Sequence, residues 1–237
     1  MMGMRQRPTK RDALRFLLQN GFQPRTIIDV GVQHGTQELI SLFPDQTHIL
    51  IEPVEEYQET IKQNYAAVKE AVFIWAATSN KSGTGVLAVT NILNQGDNII
   101  THAYLTPAPG GVRTREVRLV TLNEVLAQRD YDKPYLLKVD VDGRELEVLQ
   151  GATDMLRDTG CIIVEAPLQR PLNALITRAN FLGSHGFILW DIVDLCYYYG
   201  NLSQVDLIFL SRELKREATF APWEHYAFQP DAWVELT

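Results

Sequence analysis

The stretch from Thr26 to Glu52, T-I-I-D-V-G-V-Q-H-G-T-Q-E-L-I-S-L-F-P-D-Q-T-H-I-L-I-E, admits few folds. Ile27, Ile28 and Val30 form a β-branched run, as in a strand covered on both faces. Gly31 and Gly35 let the backbone turn tightly and approach a ligand with no Cβ in the way. Thr36 is placed to cap a helix whose apolar positions Leu39, Ile40, Leu42 and Phe43 make one stripe. His48 to Ile51 is a second buried strand, and it ends on Glu52. Strand, glycine loop, helix, strand and acid in this order read as a βαβ unit with a ligand site at its C-terminal edge.

Glu52 stands where an acid grips the two ribose hydroxyls of a nucleotide-like cofactor. The loop departs from the nicotinamide fingerprint G-x-G-x-x-G. Asp29 takes the place of the first glycine, and the last glycine comes one residue late. An Asp beside the loop suits a cofactor that carries positive charge and lacks a pyrophosphate. S-adenosylmethionine fits that description. The competing reading is an unliganded turn with a chance acid at position 52.

The rest of the chain extends the pattern. Residues 10–20 read as a short amphipathic helix with Leu14, Phe16, Leu17 and Leu18 inward, lying over the cofactor mouth or covering a sheet edge. A helix is expected from about Glu55 to Lys69, then a strand from Ala71 to Trp75. Ala76 and Ala77 follow, small enough to leave room for an adenine ring or for close helix packing. Residues 78–121 read as a β-excursion, with strands at Val86–Val89 and Val117–Val120 and a polar loop over 91–116. A short helix at Leu122–Arg129 leads to a strand from Tyr135 that ends on Asp140, then a helix over Arg144–Leu156. Cys161–Glu165 is a strand ending on another acid; a helix at Ala174–Gly183 and strands at Phe187–Trp190 and Val205–Leu210 complete the series. Such alternation gives an α/β, doubly wound, mostly parallel sheet, here within one domain over residues 1–237. Asp29, Glu52, Asp140 and Glu165 all fall at or near the strand ends where such sheets bind ligands.

Bulk properties exclude several classes. A net charge of −7 argues against a general nucleic-acid binder. Arg5, Arg7, Lys10, Arg11 and Arg15 make the start of the chain basic, read as a solvated tail and helix face or else an anionic contact. Two cysteines are too few for a disulfide scaffold or a Cys-based zinc site. No apolar run reaches the length of a membrane span and no signal-peptide core is evident, so the cytoplasm is the expected compartment.

The motifs resemble a known family. D-V-G-V-Q-H-G resembles the first motif of class I S-adenosylmethionine-dependent methyltransferases. L-L-K-V-D-V-D-G-R-E-L-E-V-L-Q-G-A, Leu136 to Ala152, resembles the signature of FkbM-type methyltransferases. W-A-A-T-S-N-K-S-G (75–83), V-T-L-N-E-V-L (120–126) and I-I-V-E (162–165) match that family's other blocks. Asp142 stands where the family usually has Glu, and Gln33-His34 is more polar than its usual pair. The resemblance implies a seven-stranded sheet with the last strand antiparallel, and methyl transfer to a hydroxyl of a sugar, glycan or other small biosynthetic acceptor. By position it implies that Asp29, Gly31 and Gly35 shape the methionine pocket; Gln33, between the two glycines, is a further cofactor-binding candidate. Glu52 would hold the ribose, Ala76 and Ala77 would lie near the adenine, and Asp140 would sit below the methionine amine or face the acceptor.

The expected activity is therefore O-methylation dependent on S-adenosylmethionine, with N-methylation of a small metabolite and a non-catalytic binding protein as competing readings. A base must take the acceptor's proton. The candidates are Asp140, Glu165 and His102. In a second mechanism two of the acids hold Mg²⁺; the metal-free version is preferred. Polar residues Asn94, Asp97, Asn98, His102, Tyr104 and Arg113 suggest an acceptor lid over 91–116 or else a surface excursion. Phe220, Trp223, Tyr226, Phe228 and Trp233 crowd the tail, read either as packing on the chain's own sheet edge or as a homo-oligomer contact.

Overall fold

The computed structural model describes residues 9–91, 100, 102–106, 113–168 and 173–217, with the backbone alone for 215–217. The aromatic tail after 217, residues 1–8 with Arg5 and Arg7, and the loop residues Asn94, Asp97, Asn98, Pro107 and Pro109 lie outside the described residues.

The first half runs α1 (Lys10–Gln19), β1 (Thr26–Val30), α2 (Gln37–Leu42), β2 (Thr47–Ile51), α3 (Gln58–Asn64) and β3 (Glu70–Ile74). Then come β4 (Ala77–Thr78), β5 (Gly83–Thr90), β6 (His102–Thr106) and β7 (Arg113–Val120). The second half runs α4 (Leu122–Ala127), β8 (Tyr135–Val139), α5 (Glu145–Gln150), β9 (Thr159–Pro167) and α6 (Ala174–Ser184). It closes with β10 (Phe187–Tyr198), β11 (Asn201–Ser211) and α7 (Arg212–Glu217).

Seven strands form one sheet in the order β10-β11-β9-β8-β1-β2-β3. β1, β2, β3, β8 and β9 pair in parallel, while β11 runs antiparallel to both neighbours. Alternate residues feed opposite faces, as the pleat requires. Ile28, Val30, Leu137, Val139, Ile162 and Val164 pack under α4, α5 and α6. Ile27, Leu136, Cys161, Ile163 and Ile208 pack against α1 and α2. The doubly wound sheet with its antiparallel strand is thus present as the motifs implied.

The excursion is a sheet of its own, ordered β4-β7-β5-β6. Leu87 and Val89 seal it onto Tyr57, Ile61 and Tyr65 in a third core. Part of the stretch read as loop is strand: β6 takes His102–Thr106, and β7 begins at Arg113. Antiparallel pairing with β5 decides this, since Val86–Thr90 meets His102–Thr106 residue for residue.

Helices are shorter than their periodicity suggests. α3 ends at Asn64 because Tyr65 turns inward to hydrogen-bond beneath the loop after β1. α5 ends at Gly151, where a Cβ would lie 2.2 Å from the Ser79 carbonyl oxygen. Thr36 precedes α2, but its side chain makes no capping bond. Conversely β10 continues eight residues past Trp190 to Tyr198; register shifts around Asp191 and Asp194 absorb the two acids that break the apolar pattern. Among the described residues no helix is long and apolar enough to cross a membrane.

Candidate active site

A cleft of about 330 Å³ opens at the C-terminal ends of β1, β2, β8 and β9, with the small sheet as its far wall. Gly31 and Gln33 reach it from the loop after β1, and Glu52 from the end of β2. Ala76, Ala77 and Thr78 line it after β3, and His102 to Leu105 from β6. Asp140, Asp142 and Arg144 follow β8, and Glu165 ends the inner part of β9. The sequence-derived candidates Gly31, Gln33, Glu52, Ala76, Ala77, Asp140, Glu165 and His102 therefore share one cavity. Asp29 and Gly35 are not among its lining residues.

The loop after β1 is held from two sides. Gly31 has φ +78, and a Cβ there would lie 1.7 Å from the Asp140 carbonyl oxygen, so only glycine fits. Gln33, also left-handed at φ 53, donates its N–H to Glu52 Oε2 at 2.9 Å. The Val54 N–H donates to Oε1, also at 2.9 Å. Two backbone donors thus orient one carboxyl at the cleft floor. Burial pushes the Glu52 pKa up to about 7; Asp29 adds to this, while the two N–H groups and Lys138 oppose it.

Asp29 lies beneath the cleft rather than in its lining. It is fully buried, and Oδ2 accepts the Tyr65 hydroxyl at 2.9 Å. Lys138 Nζ sits 3.3 Å from Asp29 Oδ1, an ion pair without hydrogen-bond alignment, and 3.3 Å from Asp140 Oδ2. It also donates to the Gly31 carbonyl at 3.4 Å. The Asp29 charge, expected to favour a cationic cofactor, is here paired with Lys138, which ties β1, its loop and β8 together. Burial pulls the Lys138 pKa down, but Asp29 and Asp140 override it and the amine stays charged. The clue in the sequence was a lone charge inside the apolar strand Y-L-L-K-V.

The charged residues lie on one face. Asp29 pairs in register with Lys138, and Glu165 with Asp206, on the side of the sheet that α1 covers. Lys10 of α1 reaches Asp206 at 2.5 Å and Asp194 at 3.3 Å. Lys10 is therefore buried, not part of a solvated basic face.

Glu165 has a pKa raised to about 9, by burial first and then by the fields of Asp140, Glu145, Asp142 and Asp206. It carries its proton at neutral pH. Asp142 occupies the turn after β8 at φ 52 and accepts the Ala103 N–H at 3.2 Å. Burial raises its pKa, and the nearby His102 opposes that. Beneath this turn Glu145 Oε1 accepts the N–H groups of Val141 at 3.2 Å and Gly143 at 2.9 Å. Its other oxygen pairs with Arg178 of α6, and both side chains are buried. Sequence reading missed this brace, because Arg178 is distant in the chain and sits in a helix that carries no motif. Among the described residues no group of three His, Cys, Asp or Glu side chains is arranged to hold a metal ion.

Residues 29–189 match the model of the methyltransferase FkbM domain. A curated relative, the hexuronic acid methyltransferase AglP of Haloferax volcanii, is 25% identical over 156 residues, 66% of this chain. The chain spans 62% of that relative's length. Among solved structures, an rRNA methylase from Streptococcus thermophilus superposes with TM-score 0.49 at 9% identity, covering 89% of this chain and 99% of that one. Magnesium protoporphyrin IX methyltransferase from Synechocystis PCC 6803 gives TM-score 0.46 at 14% identity, covering 85% and 77%.

Proposed function

Because the chain belongs to the methyltransferase FkbM domain family, we propose that its cleft binds S-adenosylmethionine and passes the methyl group to a hydroxyl of a sugar or glycan. The observation that carries this reading is the Glu52 carboxyl, fixed by two backbone N–H groups at the end of β2 and facing the same cavity as Asp140, Glu165 and His102.

The residues fit the cofactor. Glu52 keeps lone pairs free for the two ribose hydroxyls. Ala76 and Ala77 leave space beside them, and Thr78 Oγ1 is buried with no hydrogen-bond partner among the described residues. Gly31 keeps the cleft floor flat against Asp140. When bound, the cofactor supplies an electrophilic methyl on a sulfonium.

The acceptor oxygen must gain that methyl and lose its proton. Glu165 is protonated at neutral pH and serves as a donor there, not as the base. His102 takes the proton, and Asp142 beside it holds the resulting positive charge. Holding the acceptor aligned in a closed cleft supplies much of the remaining rate enhancement.

The relative's name points to a sugar acceptor, a hexuronic acid. This cleft asks for a less charged one. Its lining includes Asp140, Asp142 and, once ionised, Glu52, and Arg144 is engaged by Glu147 and by the Leu105 carbonyl. A neutral hydroxyl avoids repulsion that a hexuronate would meet.

The test has two stages. Calorimetry with S-adenosylmethionine should show binding. Incubation with a panel of neutral and uronic glycosides should then give a mass gain of one methyl on the neutral members. No binding, or methylation confined to uronic members, overturns the corresponding half of the reading.

A further inference from the structure

We propose that the tip of the β10–β11 hairpin is a carbohydrate-stacking subsite, so that the acceptor is an oligosaccharide or extended glycoside and not a single sugar. This deepens the methyl-transfer reading and rests on it for the placement of the reacting ring.

Tyr197, Tyr198 and Tyr199 are 64%, 67% and 87% exposed at this tip. The rings of Tyr198 and Tyr199 meet edge to face with centroids 4.6 Å apart. Tyr198 pairs with Asn201, leaving a two-residue turn of Tyr199 and Gly200 with φ 48 and 75. Turns left-handed at both central positions favour Asn, Asp or Gly at the first. A tyrosine there is strained, and strain of this kind collects where a side chain is needed for something other than the turn.

The tip projects from the sheet edge at which the cleft opens. Gln204 of the same hairpin lines the cavity and pairs with Pro167, just beyond Glu165. Glu165 itself pairs with Asp206; from there to Asn201 the hairpin advances five residues, about 17 Å at the rise of an extended strand. That distance exceeds one sugar ring, so a ring on the tyrosines belongs to a unit several places along the chain from the one in the cleft.

The chemistry of the tip selects a carbohydrate. Phenol rings offer flat apolar faces to the C–H face of a pyranose, and their hydroxyls offer hydrogen bonds to its rim, while Asn201 Nδ2 and Ser203 Oγ brace the turn by donating to the Tyr199 and Asn201 carbonyls. Residues 189–204 contain Asp191 and Asp194 and no Lys or Arg. Such a tip lacks the basic residues that would draw it to an anionic membrane surface.

The experiment applies the 237-residue chain, fluorescently labelled, to an array of neutral mono- and oligosaccharides, beside Tyr199→Asn and Tyr198→Ser/Tyr199→Asn. Asn suits the turn, so the single variant is expected to fold at least as well as the native chain, checked by thermal melting. The native chain should retain oligosaccharides and not the matching monosaccharides. The double variant should lose at least tenfold in apparent affinity, with S-adenosylmethionine binding by calorimetry unchanged within twofold. A blank array from the native chain, or equal retention by native and variant chains, overturns the subsite. So does a variant whose mass by light scattering halves, which assigns the tip to a second copy, or native binding to phosphatidylcholine vesicles that the variant loses. Cofactor binding is read separately: its failure would remove the methyl-transfer reading whatever the array shows.

Discussion

Glu52 offers the sharpest test of the cofactor half of the cleft, because its chemistry converts directly into a pH dependence. Its folded pKa is about 7 against an ordinary 4.5. A carboxylate accepts from both ribose hydroxyls, whereas the protonated group has lost one acceptor position. At about pH 6 roughly one Glu52 in eleven is ionised, and at about pH 8 roughly ten in eleven. Affinity for S-adenosylhomocysteine should therefore rise about tenfold over this range, about 1.4 kcal/mol. The apo protein should respond oppositely. A carboxyl whose folded pKa is raised contributes stability that is present below its unfolded pKa and lost as pH climbs through the folded one. Between pH 4.5 and about 7 this group alone costs the apo fold on the order of 3 kcal/mol. Glu52→Gln removes both effects: calorimetry should show affinity that no longer varies with carboxyl ionisation at this position and is weaker by about 1–3 kcal/mol at about pH 8. Identical pH slopes for the native chain and the Glu52→Gln variant would refute the reasoning, since the slope would then come from the ligand or from another group.

Other outcomes follow from the same geometry. Arg178→Met leaves the Glu145 carboxylate buried and unpaired, and urea unfolding should show a loss of about 3–5 kcal/mol, largely recovered in Glu145→Gln/Arg178→Met. That double variant should still turn over slowly, because the N–H groups of Val141 and Gly143 lose their charged acceptor and Asp142 shifts from His102. Gly31→Ala should abolish cofactor binding and lower stability by about 3 kcal/mol or more, read by calorimetry and thermal melting, because the new methyl meets a backbone oxygen. His102→Ala should slow methylation of a hydroxyl by about 10²-fold or more. Near-native turnover instead would point to an amine acceptor. Glu165→Gln should retain the neutral-pH rate and remove any change in the pH–rate profile near 9.

Much of the fold was legible because local and global signals agree. Thr26–Val30, Thr47–Ile51 and Tyr135–Val139 are mostly apolar, the first two rich in β-branched residues, with one polar or charged residue inside each (Asp29, His48 and Lys138), and each is an interior strand of the sheet. Glu52, Asp140 and Glu165 could be placed because a parallel sheet brings all its strand C-termini to one edge. What escaped was set by pairing across long separations. β6 has no pattern of its own and exists because β5 offers it an edge. The partner of Asp29 could not be read either. Its charge looked available from the loop alone, and only the register of β1 against β8 puts Lys138 beside it. The Glu145–Arg178 pair fails to show for the same reason, with α5 and α6 meeting through side chains 33 positions apart.

The small sheet enters and leaves the domain through a single narrow gate. β4 and β7 lie side by side, with Ala77 opposite Leu119 and Thr78 opposite Val120, and the Ser79 N–H donates to the Val120 carbonyl at 3.0 Å. Everything between is a cassette whose two ends are already stapled together. His102 to Leu105, the wall that would meet an acceptor, ride on that cassette, whereas Gly31, Glu52 and Glu165 belong to the large sheet. Exchanging residues 79–119 between two chains of this architecture would thus replace the cleft's far wall, provided the Tyr57, Ile61 and Tyr65 side chains beneath Leu87 and Val89 are matched to it. Such a graft has two kinds of seam, the adjoining ends of β4 and β7 and the core beneath β5.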